Sequence, residues 1–220
     1  MVDLYQGILT TRAIRRYSNE PVTRGEILQC LRAAQQAPSG GNSQPWQYLV
    51  VTNQDLKSDI AYLYRQAYQR WEEAQLNSLP PFRNDDDRAV FLCGVADSRY
   101  LADHLAEAAA LVLFLMPKIS IAPSDERGTV EIGPLYASVY PAVQNLMLAA
   151  RSFGIGSVLT TVYWSRQDEL RVLLGVPERF EIVALVPLGR PAGKFGVAPR
   201  KPVEVVTHWE RFGLKTNRRS

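Results

Sequence analysis

The sequence predicts a layered α/β or α+β domain in which long helices alternate with four short apolar strands. Apolar residues recur at helical spacing in several stretches, and four short runs are almost continuously apolar. Glycine or proline separates many of these stretches. The 220 residues fit one domain over 1–220, with a helical excursion at about 53–105. Periodicity alone does not determine the order of the strands.

The helices are predicted from apolar periodicity and from residues that start or end helices. Thr23 and Glu26 have the spacing of a capping box, and Pro38 ends the helix that they begin. Gly154 stands where a glycine ends the longest apolar helix. That helix is apolar over too wide an arc for a surface helix, which predicts an obligate homodimer. The predicted helices cover 3–12, 23–37, 55–75, 136–153 and 165–174.

The strands are predicted at 46–52, 111–116, 158–161 and 181–188. The first run is almost continuously apolar, which indicates burial on both of its faces. In the tail, Val203–Val206 is also β-prone.

The composition is that of an ordinary globular protein, with 46% hydrophobic and 21% charged residues. The net charge of +3 is mild, and the basic residues are scattered in short clusters. A nucleic-acid-binding protein would more often carry a contiguous basic face with interleaved aromatic residues. Local anion sites are therefore the better interpretation, and no nucleic-acid partner is predicted.

Residues that could bind a metal or act as nucleophiles are few. Cys30 and Cys93 fit no metal or redox spacing, and a zinc site or a Ser-His-Asp hydrolase would have to be built from the two histidines of the chain, His104 and His208. No signal peptide and no run of about 18 apolar residues is present. We therefore expect no metal, no membrane partner and a cytoplasmic location.

The stretch Ala37 to Trp46, with the sequence APSGGNSQPW, is a candidate ligand loop between a helix and a strand. Its glycines allow the backbone to approach a ligand closely. Its serine, asparagine and glutamine side chains can donate and accept hydrogen bonds, as a planar heterocycle with carbonyls and ring nitrogens would require. An ordinary helix-to-strand connection is the alternative that these residues alone leave open.

A second candidate site is the basic segment around Ile14. Arg12, Arg15 and Arg16 lie within a few residues of one another, and guanidinium groups bind phosphate in a bidentate manner. A solvated basic turn is the alternative here. The segment Gly154–Ser157 follows a predicted helix and enters a strand, which is the reverse of the order in a dinucleotide-binding motif, so a Rossmann site is excluded.

These stretches together resemble the FMN-dependent nitroreductase family. The loop at 37–46 resembles the family segment APS-x-x-N-x-QPW, and residues 12–17 resemble its amino-terminal phosphate motif. The long helix and its following turn, at 136–156, resemble the central dimer helix. Other elements that resemble the family are Thr160-Thr161, Gly189-Arg190-Pro191 and Arg200-Lys201-Pro202. The insertion at 64–97 has no specific match.

Two departures from the family pattern bear on the site. Thr11 and Ala13 replace an arginine and a serine of the phosphate motif, so Arg12, Arg15 and Arg200 would carry more of the phosphate contact. Thr161 stands in place of the glutamate that the family commonly has near flavin N5. This second departure leaves the substrate preference open.

The resemblance implies an FMN site with no side-chain acid or base, because the chemistry takes place on flavin N5. The implied cofactor-binding residues are Arg12, Ala13, Arg15, Pro38, Ser39, Gly40, Asn42, Gln44, Leu159, Thr160, Thr161, Arg190 and Arg200. Among them, Arg200→Ala is expected to weaken FMN binding more than Arg190→Ala.

The resemblance also implies a nitroreductase-like fold, with a mostly antiparallel sheet of four to five strands flanked by helices. The fifth strand would come from the tail of the partner chain, for which Val203–Val206 is the candidate. Two FMN molecules would lie at the interface of the homodimer. NAD(P)H would transfer hydride to flavin N5, and a nitroaromatic, quinone or related acceptor would then react at the same face, giving ping-pong kinetics.

Two alternatives to this activity stay open. One is a specialised flavin oxidase or dehydrogenase of the same family, acting for example in azoline dehydrogenation or dehalogenation. The other is a non-enzymatic FMN- or nucleotide-binding module.

Overall fold

The structure, a computed structural model, describes residues 3–79, 81–119, 122–130 and 135–215. Its centre is a four-stranded antiparallel sheet in the order β1-β2-β6-β5, and β3 and β4 form a separate small pair. The strands are β1 (Gln47–Val51), β2 (Ala110–Pro117), β3 (Ser124–Asp125), β4 (Gly128–Thr129), β5 (Gly156–Ser157) and β6 (Phe180–Gly189).

The α-helices surround the sheet, and short 3-10 helices cover Gly40–Asn42, Leu105–Glu107 and Val162–Arg166. The α-helices are α1 (Leu4–Thr10), α2 (Arg24–Ala34), α3 (Gln54–Asn77), α4 (Asp85–His104), α5 (Tyr136–Ser152), α6 (Gln167–Leu173) and α7 (Val203–Val206). Among the described residues, none of these helices is long and apolar enough to cross a membrane.

The sheet separates two hydrophobic cores. Side chains alternate along β2, so that Leu111 and Leu113 contribute to one core while Val112 and Phe114 contribute to the other. The first core includes residues of α3 and α4, and the second includes residues of α2 and α5. β2 is thus buried on both faces, which explains its continuous apolar sequence.

The helix ends follow the predicted chemistry at two places. Thr23 and Glu26 form the capping box, with the Thr23 Oγ1 accepting from the Glu26 N–H at 3.2 Å. Gly154 has a φ of 70° after α5, and the Ile155 N–H donates to the Ala150 carbonyl at 2.8 Å. This bond and the left-handed glycine make a Schellman motif, which confirms the predicted end of α5.

The structure corrects two predicted strands. The third strand is short and earlier than predicted: β5 is Gly156–Ser157, and Thr160 makes only an isolated bridge with Leu185. In the single chain, Val203–Val206 is one turn of α-helix with no buried residue, so its β-prone composition did not determine its conformation. Pairing of this segment with a partner chain stays a prediction.

The helical excursion consists of α3 and α4, which pack against each other. The hydroxyl of Tyr68 in α3 donates to the Val95 carbonyl of α4 at 2.9 Å, and Glu72 pairs with Arg99 at 2.9 Å. The aspartates at 85–87 lie in the first turn of α4 and not in a loop, because Asn84 caps the helix and negative charge is favourable at its N-terminus.

Candidate functional site

The basic segment at 12–17 crosses one end of the sheet and is held by backbone hydrogen bonds. The Ile14 N–H donates to the Ser157 carbonyl of β5 at 2.9 Å. On the other side, the Ser18 N–H donates to the Arg190 carbonyl, and the Ala192 N–H donates to the Arg16 carbonyl at 3.0 Å. These bonds place the arginines beside the ends of β5 and β6.

Two glycines make room for this segment. A Cβ atom added to Gly156 would lie 2.6 Å from Cγ2 of Ile14, and one added to Gly189 would lie 2.6 Å from Cδ1 of Tyr17. Ile14 and Tyr17 are both buried, and Gly156 pairs directly with Gly189 across β5 and β6. The pair of glycines thus lets the basic segment pack directly on the sheet.

The basic segment lines a pocket of about 200 Å³, which we call the phosphate pocket. Its walls are formed by Arg12, Ala13, Ile14, Arg15, Arg16, Asp97, Gly193 and Lys194. Four cationic side chains and one carboxylate give it an excess of positive charge, which fits a bound phosphate monoester. Sequence reasoning missed Lys194, because a single lysine distant in sequence from the basic segment gives no local signal.

Arg16 is directed towards α4. Its Nη2 lies 3.5 Å from Oδ1 of Asp97, and its Cζ lies 3.7 Å from the centre of the Tyr100 ring. Among the described residues, Arg12 and Arg15 form no ion pair within 4.0 Å. These two arginines, both predicted from the sequence, therefore have their charge available for an anion.

The loop at 38–44 forms a 3-10 turn with exposed polar side chains. The Gln44 N–H donates to Oγ of Ser39 at 3.0 Å, and the Gln44 side chain contacts that of Asn42 at 3.2 Å. Asn42 and Gln44 have positive φ values of 53° and 44°, which are uncommon for residues other than glycine. Such conformations are found at ligand-binding sites more often than elsewhere.

The loop and the phosphate pocket lie at opposite ends of α5. The Gly40 N–H donates to Oγ of Ser138, in the first turn of α5, at 3.1 Å. The basic segment instead contacts Gly156 and Ser157, just after the helix ends. At 1.5 Å per residue, the helix separates these anchor points by roughly 20 Å. A single chain therefore does not bring the two predicted halves of the site together.

The segment Leu159–Thr161 follows Ser157, whose carbonyl accepts from the Ile14 N–H of the basic segment. Leu159 packs against the second core, Thr160 is buried, and Thr161 is exposed. The Thr160 hydroxyl lies 2.8 Å from the hydroxyl of Tyr64 in α3. Tyr64 was not predicted as a site residue, because the excursion that contains it has no match to the family motifs.

Arg190 is engaged away from the phosphate pocket. Its guanidinium pairs with Glu26 at 2.6 Å and donates to the Phe153 carbonyl at the end of α5, also at 2.6 Å. The Thr23 N–H, and then Arg190, hold the pKa of Glu26 below its usual value. In the described structure, Arg190 thus joins α2, α5 and β6 and does not line the pocket.

Arg200 is also outside the phosphate pocket. It is exposed, and its Nη1 donates to the neighbouring Pro199 carbonyl at 2.9 Å. The predicted roles of Arg190 and Arg200 in FMN binding stay predictions.

The sequence was compared with protein families and with characterised proteins. The sequence model of the Nitroreductase family matches residues 8–190. A protein of Archaeoglobus fulgidus described as a candidate NADH dehydrogenase/NAD(P)H nitroreductase is 31% identical over 195 residues, and the match covers 87% of each chain. An iodotyrosine deiodinase of Nematostella vectensis is 27% identical, over 93% of this chain and 74% of that protein.

Solved structures show the same fold. An iodotyrosine deiodinase bound to FMN and 3-iodo-L-tyrosine has a TM-score of 0.71 and 25% identity, covering 96% of this chain and 100% of that one. A candidate NADH dehydrogenase/NAD(P)H nitroreductase of Parabacteroides distasonis has a TM-score of 0.65 and 22% identity, covering 94% and 98%. The family match spans the basic segment, the loop at 38–44 and the central sheet. The chain therefore belongs to the nitroreductase family.

Proposed function

We propose that the protein is an FMN-dependent oxidoreductase that takes hydride from NAD(P)H and delivers it to a nitroaromatic, quinone or related acceptor. The observation that carries the proposal is the phosphate pocket, in which Arg12, Arg15 and Lys194 surround space for one terminal phosphate. A mononucleotide such as FMN presents one phosphate monoester, which guanidinium groups bind through charge-assisted hydrogen bonds.

The chain's own residues supply binding and orientation. Arg12, Arg15 and Lys194 would neutralise the phosphate, and the backbone at Thr160–Thr161 would meet the ring. The FMN, when bound, supplies the capacity to accept and donate hydride at N5. The protein therefore needs to hold the ring in place, exclude water and leave one face open, and it needs no side-chain acid or base.

The site is proposed to be completed by a second copy of the chain. The polar loop at 38–44 lies at the far end of α5 from the phosphate pocket, so the loop of a partner is required to close the site. Apolar residues of α1 are available for such an interface, since Leu4 is 74% exposed and Tyr5 is 69% exposed. A groove of about 430 Å³ between α1, α2 and α5 includes Leu4 in its lining and extends the apolar surface of α1.

Reductive dehalogenation is a second candidate activity. Several relatives are iodotyrosine deiodinases, from animals that include Nematostella vectensis and Rattus norvegicus. In addition, Thr161 stands where the family commonly has a glutamate, so the surroundings of N5 differ from the usual nitroreductase pattern. The reaction would take two electrons from reduced FMN and one proton, replace the iodine of an aryl iodide with hydrogen and release iodide.

Cytoplasm is the proposed location. Cys30 and Cys93 are both free thiols in the structure, as is usual in a reducing compartment.

The test is anaerobic reduction of the FMN-loaded protein by NADH and by NADPH in a stopped-flow spectrometer. The reduced protein is then mixed with a nitroaromatic, a quinone or 3-iodotyrosine. Bleaching by a nicotinamide followed by reoxidation with the first two acceptors supports the main proposal, with parallel double-reciprocal lines for ping-pong kinetics. Iodide release from 3-iodotyrosine by protein that dithionite has reduced, with no bleaching by NADH or NADPH, supports dehalogenation instead. Protein that releases FAD or no flavin on acid precipitation contradicts both.

A further inference from the structure

Tyr64 of α3 reaches the segment that follows β5. Its side chain is 2% exposed, and its hydroxyl oxygen lies 2.8 Å from Oγ1 of Thr160, which is itself 7% exposed. Among the described residues, Thr160 is the one hydrogen-bond partner of the buried Tyr64 hydroxyl, which has little access to water. The bond therefore joins the helical excursion to the candidate cofactor site.

Thr160 is held on several sides, and the chain turns directly after it. Its N–H donates to the Leu185 carbonyl at 3.0 Å, and the Leu185 N–H donates back at 3.1 Å. The Thr160 Oγ1 also accepts from the Val162 N–H at 3.4 Å. Thr161 then has φ −125° and ψ 9°, where the backbone leaves the sheet and enters a 3-10 helix. The hydrogen bond with Tyr64 of α3 is a further contact that holds Thr160.

The electrostatic surroundings keep Tyr64 protonated. Burial raises the pKa of Tyr64, although the bond to Thr160 and the nearby Arg15 charge oppose this shift. A phenol in this state can donate to Thr160 throughout the neutral range. Thr160 directly precedes Thr161, and the Thr160–Thr161 backbone is proposed to meet the flavin ring, so the Tyr64–Thr160 bond links α3 to the proposed FMN site.

We propose that Tyr64 is a positioning residue whose bond to Thr160 holds the Thr160–Thr161 backbone against the ring of bound FMN. This inference rests on the proposed FMN-dependent function. A backbone N–H near N5 stabilises oxidised FMN, whose N5 accepts a hydrogen bond, more than reduced FMN, whose N5 carries a hydrogen. Because fixed donors act only if they are held in position, loss of the Tyr64 bond should weaken binding of oxidised FMN and raise the midpoint potential.

The experiment compares Tyr64→Phe with Tyr68→Phe. Tyr68 lies one turn further along α3 and is 1% exposed, and its hydroxyl oxygen lies 2.9 Å from both Oε1 of Glu72 and the Val95 carbonyl oxygen within the α3–α4 pair. Each variant loses one buried hydroxyl, but only Tyr64→Phe loses a contact with the proposed site. The measurements are FMN affinity by fluorescence titration, midpoint potential by spectroelectrochemistry and melting temperature.

We expect Tyr64→Phe to weaken binding of oxidised FMN by about three- to tenfold and to raise the potential correspondingly. A tenfold change in the ratio of the two affinities equals about 30 mV for a two-electron couple. Tyr68→Phe should lower the melting temperature to a similar extent but keep both flavin properties close to those of the parent. Equal potentials and affinities in the two variants overturn the inference.

A second pair of variants covers the case in which Tyr64→Phe does not fold. Thr160→Val removes the other hydroxyl of the same bond, whereas Thr160→Ser retains it. The valine variant should show the shift in potential and the serine variant should not, and equal values in both contradict the inference. A parent protein that binds no FMN contradicts the proposed function itself. A parent that binds FMN, with no shift in Tyr64→Phe, contradicts only the role of Tyr64.

Discussion

Arg190 shows how one side chain can match a family motif and yet have a structural role within its own chain. Its side chain is only 17% exposed, and its three nitrogens contact Glu26, the Phe153 carbonyl and the Pro21 carbonyl. Removal of Arg190 would take the guanidinium away from Oε1 of Glu26 and from the Phe153 carbonyl at the end of α5. At the scale of single residues, Arg190 thus has a structural role within its own chain, and its part in FMN binding stays a prediction.

We expect Glu26→Gln to destabilise the protein at neutral pH and to have little effect in acid. The pKa of Glu26 is lowered in the folded state, so its ionised form stabilises the fold above the ordinary value of 4.5. That contribution is lost as the pH falls through the lowered pKa. Hydrogen bonds to charged groups contribute about 1.5–3 kcal/mol each, so the loss at pH 7 should be of that order.

The measurement is chemical denaturation of Glu26→Gln and of the parent at pH 7 and near pH 3. Glu178→Gln, at an exposed site, is the matched control and should unfold like the parent. A difference between Glu26→Gln and the parent that is as large near pH 3 as at pH 7 would contradict the assignment.

Lys194 is expected to bind the FMN phosphate. Because it lines the phosphate pocket, Lys194→Ala should raise the dissociation constant of FMN about tenfold, equivalent to about 1.4 kcal/mol. Fluorescence titration of the apoprotein measures this change. Lys118→Ala removes the same charge at an exposed position after β2 and should bind FMN within twofold of the parent. Equal affinities of the two variants would remove Lys194 from the site.

At the scale of elements, the ends of β5 and β6 act as a platform for the basic segment. β5 contributes only two residues to this platform. The basic segment can lie directly on it because Gly156 and Gly189 have no side chains between the sheet and the segment. The backbone that carries Arg12 and Arg15 is thus positioned by the packing of Ile14 and Tyr17 on these glycines, together with the backbone hydrogen bonds of the segment.

Gly156→Ala and Gly189→Ala should each weaken FMN binding at least tenfold and destabilise the fold by about 1–3 kcal/mol. Their new methyl groups would meet Ile14 and Tyr17 at 2.6 Å and displace the basic segment. Gly94→Ala in α4 is the control, since no atom lies within 4 Å of its added Cβ. It should be neutral or stabilising by about 0.5–1 kcal/mol, because alanine favours a helix interior. Titration calorimetry with FMN would show the prediction to be wrong if all three variants behaved alike.

At the scale of the whole molecule, α5 separates the two halves of the proposed site. Ser138 anchors the loop at one end of the helix, and the basic segment lies beyond the other end. If each FMN is bound by the phosphate pocket of one chain and the loop of the other, the active species is a dimer. Its interface and its cofactor sites are then formed together.

Mixed dimers of Arg15→Ala and Asn42→Ala chains test this arrangement. Each homodimer should bind FMN weakly, because both of its sites lack a contact. In the mixed dimer, one site would combine the intact pocket of the Asn42→Ala chain with the intact loop of the Arg15→Ala chain. We therefore expect one FMN per dimer with parental affinity, measured on mixed dimers purified through two different affinity tags.

The control is a mixed dimer in which one chain carries both substitutions and the other carries none. Shared sites would leave no parental site in that species, since each site would lack one contact. If both halves came from one chain, the doubly substituted mixture would retain a parental site and the first mixture would have none. That reversal would refute a shared site.

The sequence by itself determined the elements whose causes are local. The capping box of α2, the glycine that ends α5 and the apolar run of β2 depend on residues close together in the chain, so periodicity and end signals were sufficient. The polar loop and the basic segment were recognised for the same reason, because each motif is continuous in sequence.

Tertiary structure alone decided which of these elements meet. β5 is short and displaced from its prediction because its pairing depends on the close approach of Gly156, Gly189 and the basic segment. Arg190 turns to Glu26, and Tyr64 reaches Thr160 across 96 positions of sequence. Such contacts are set by packing between distant segments, which leaves no periodic signal within either segment, and so only the folded chain reveals them.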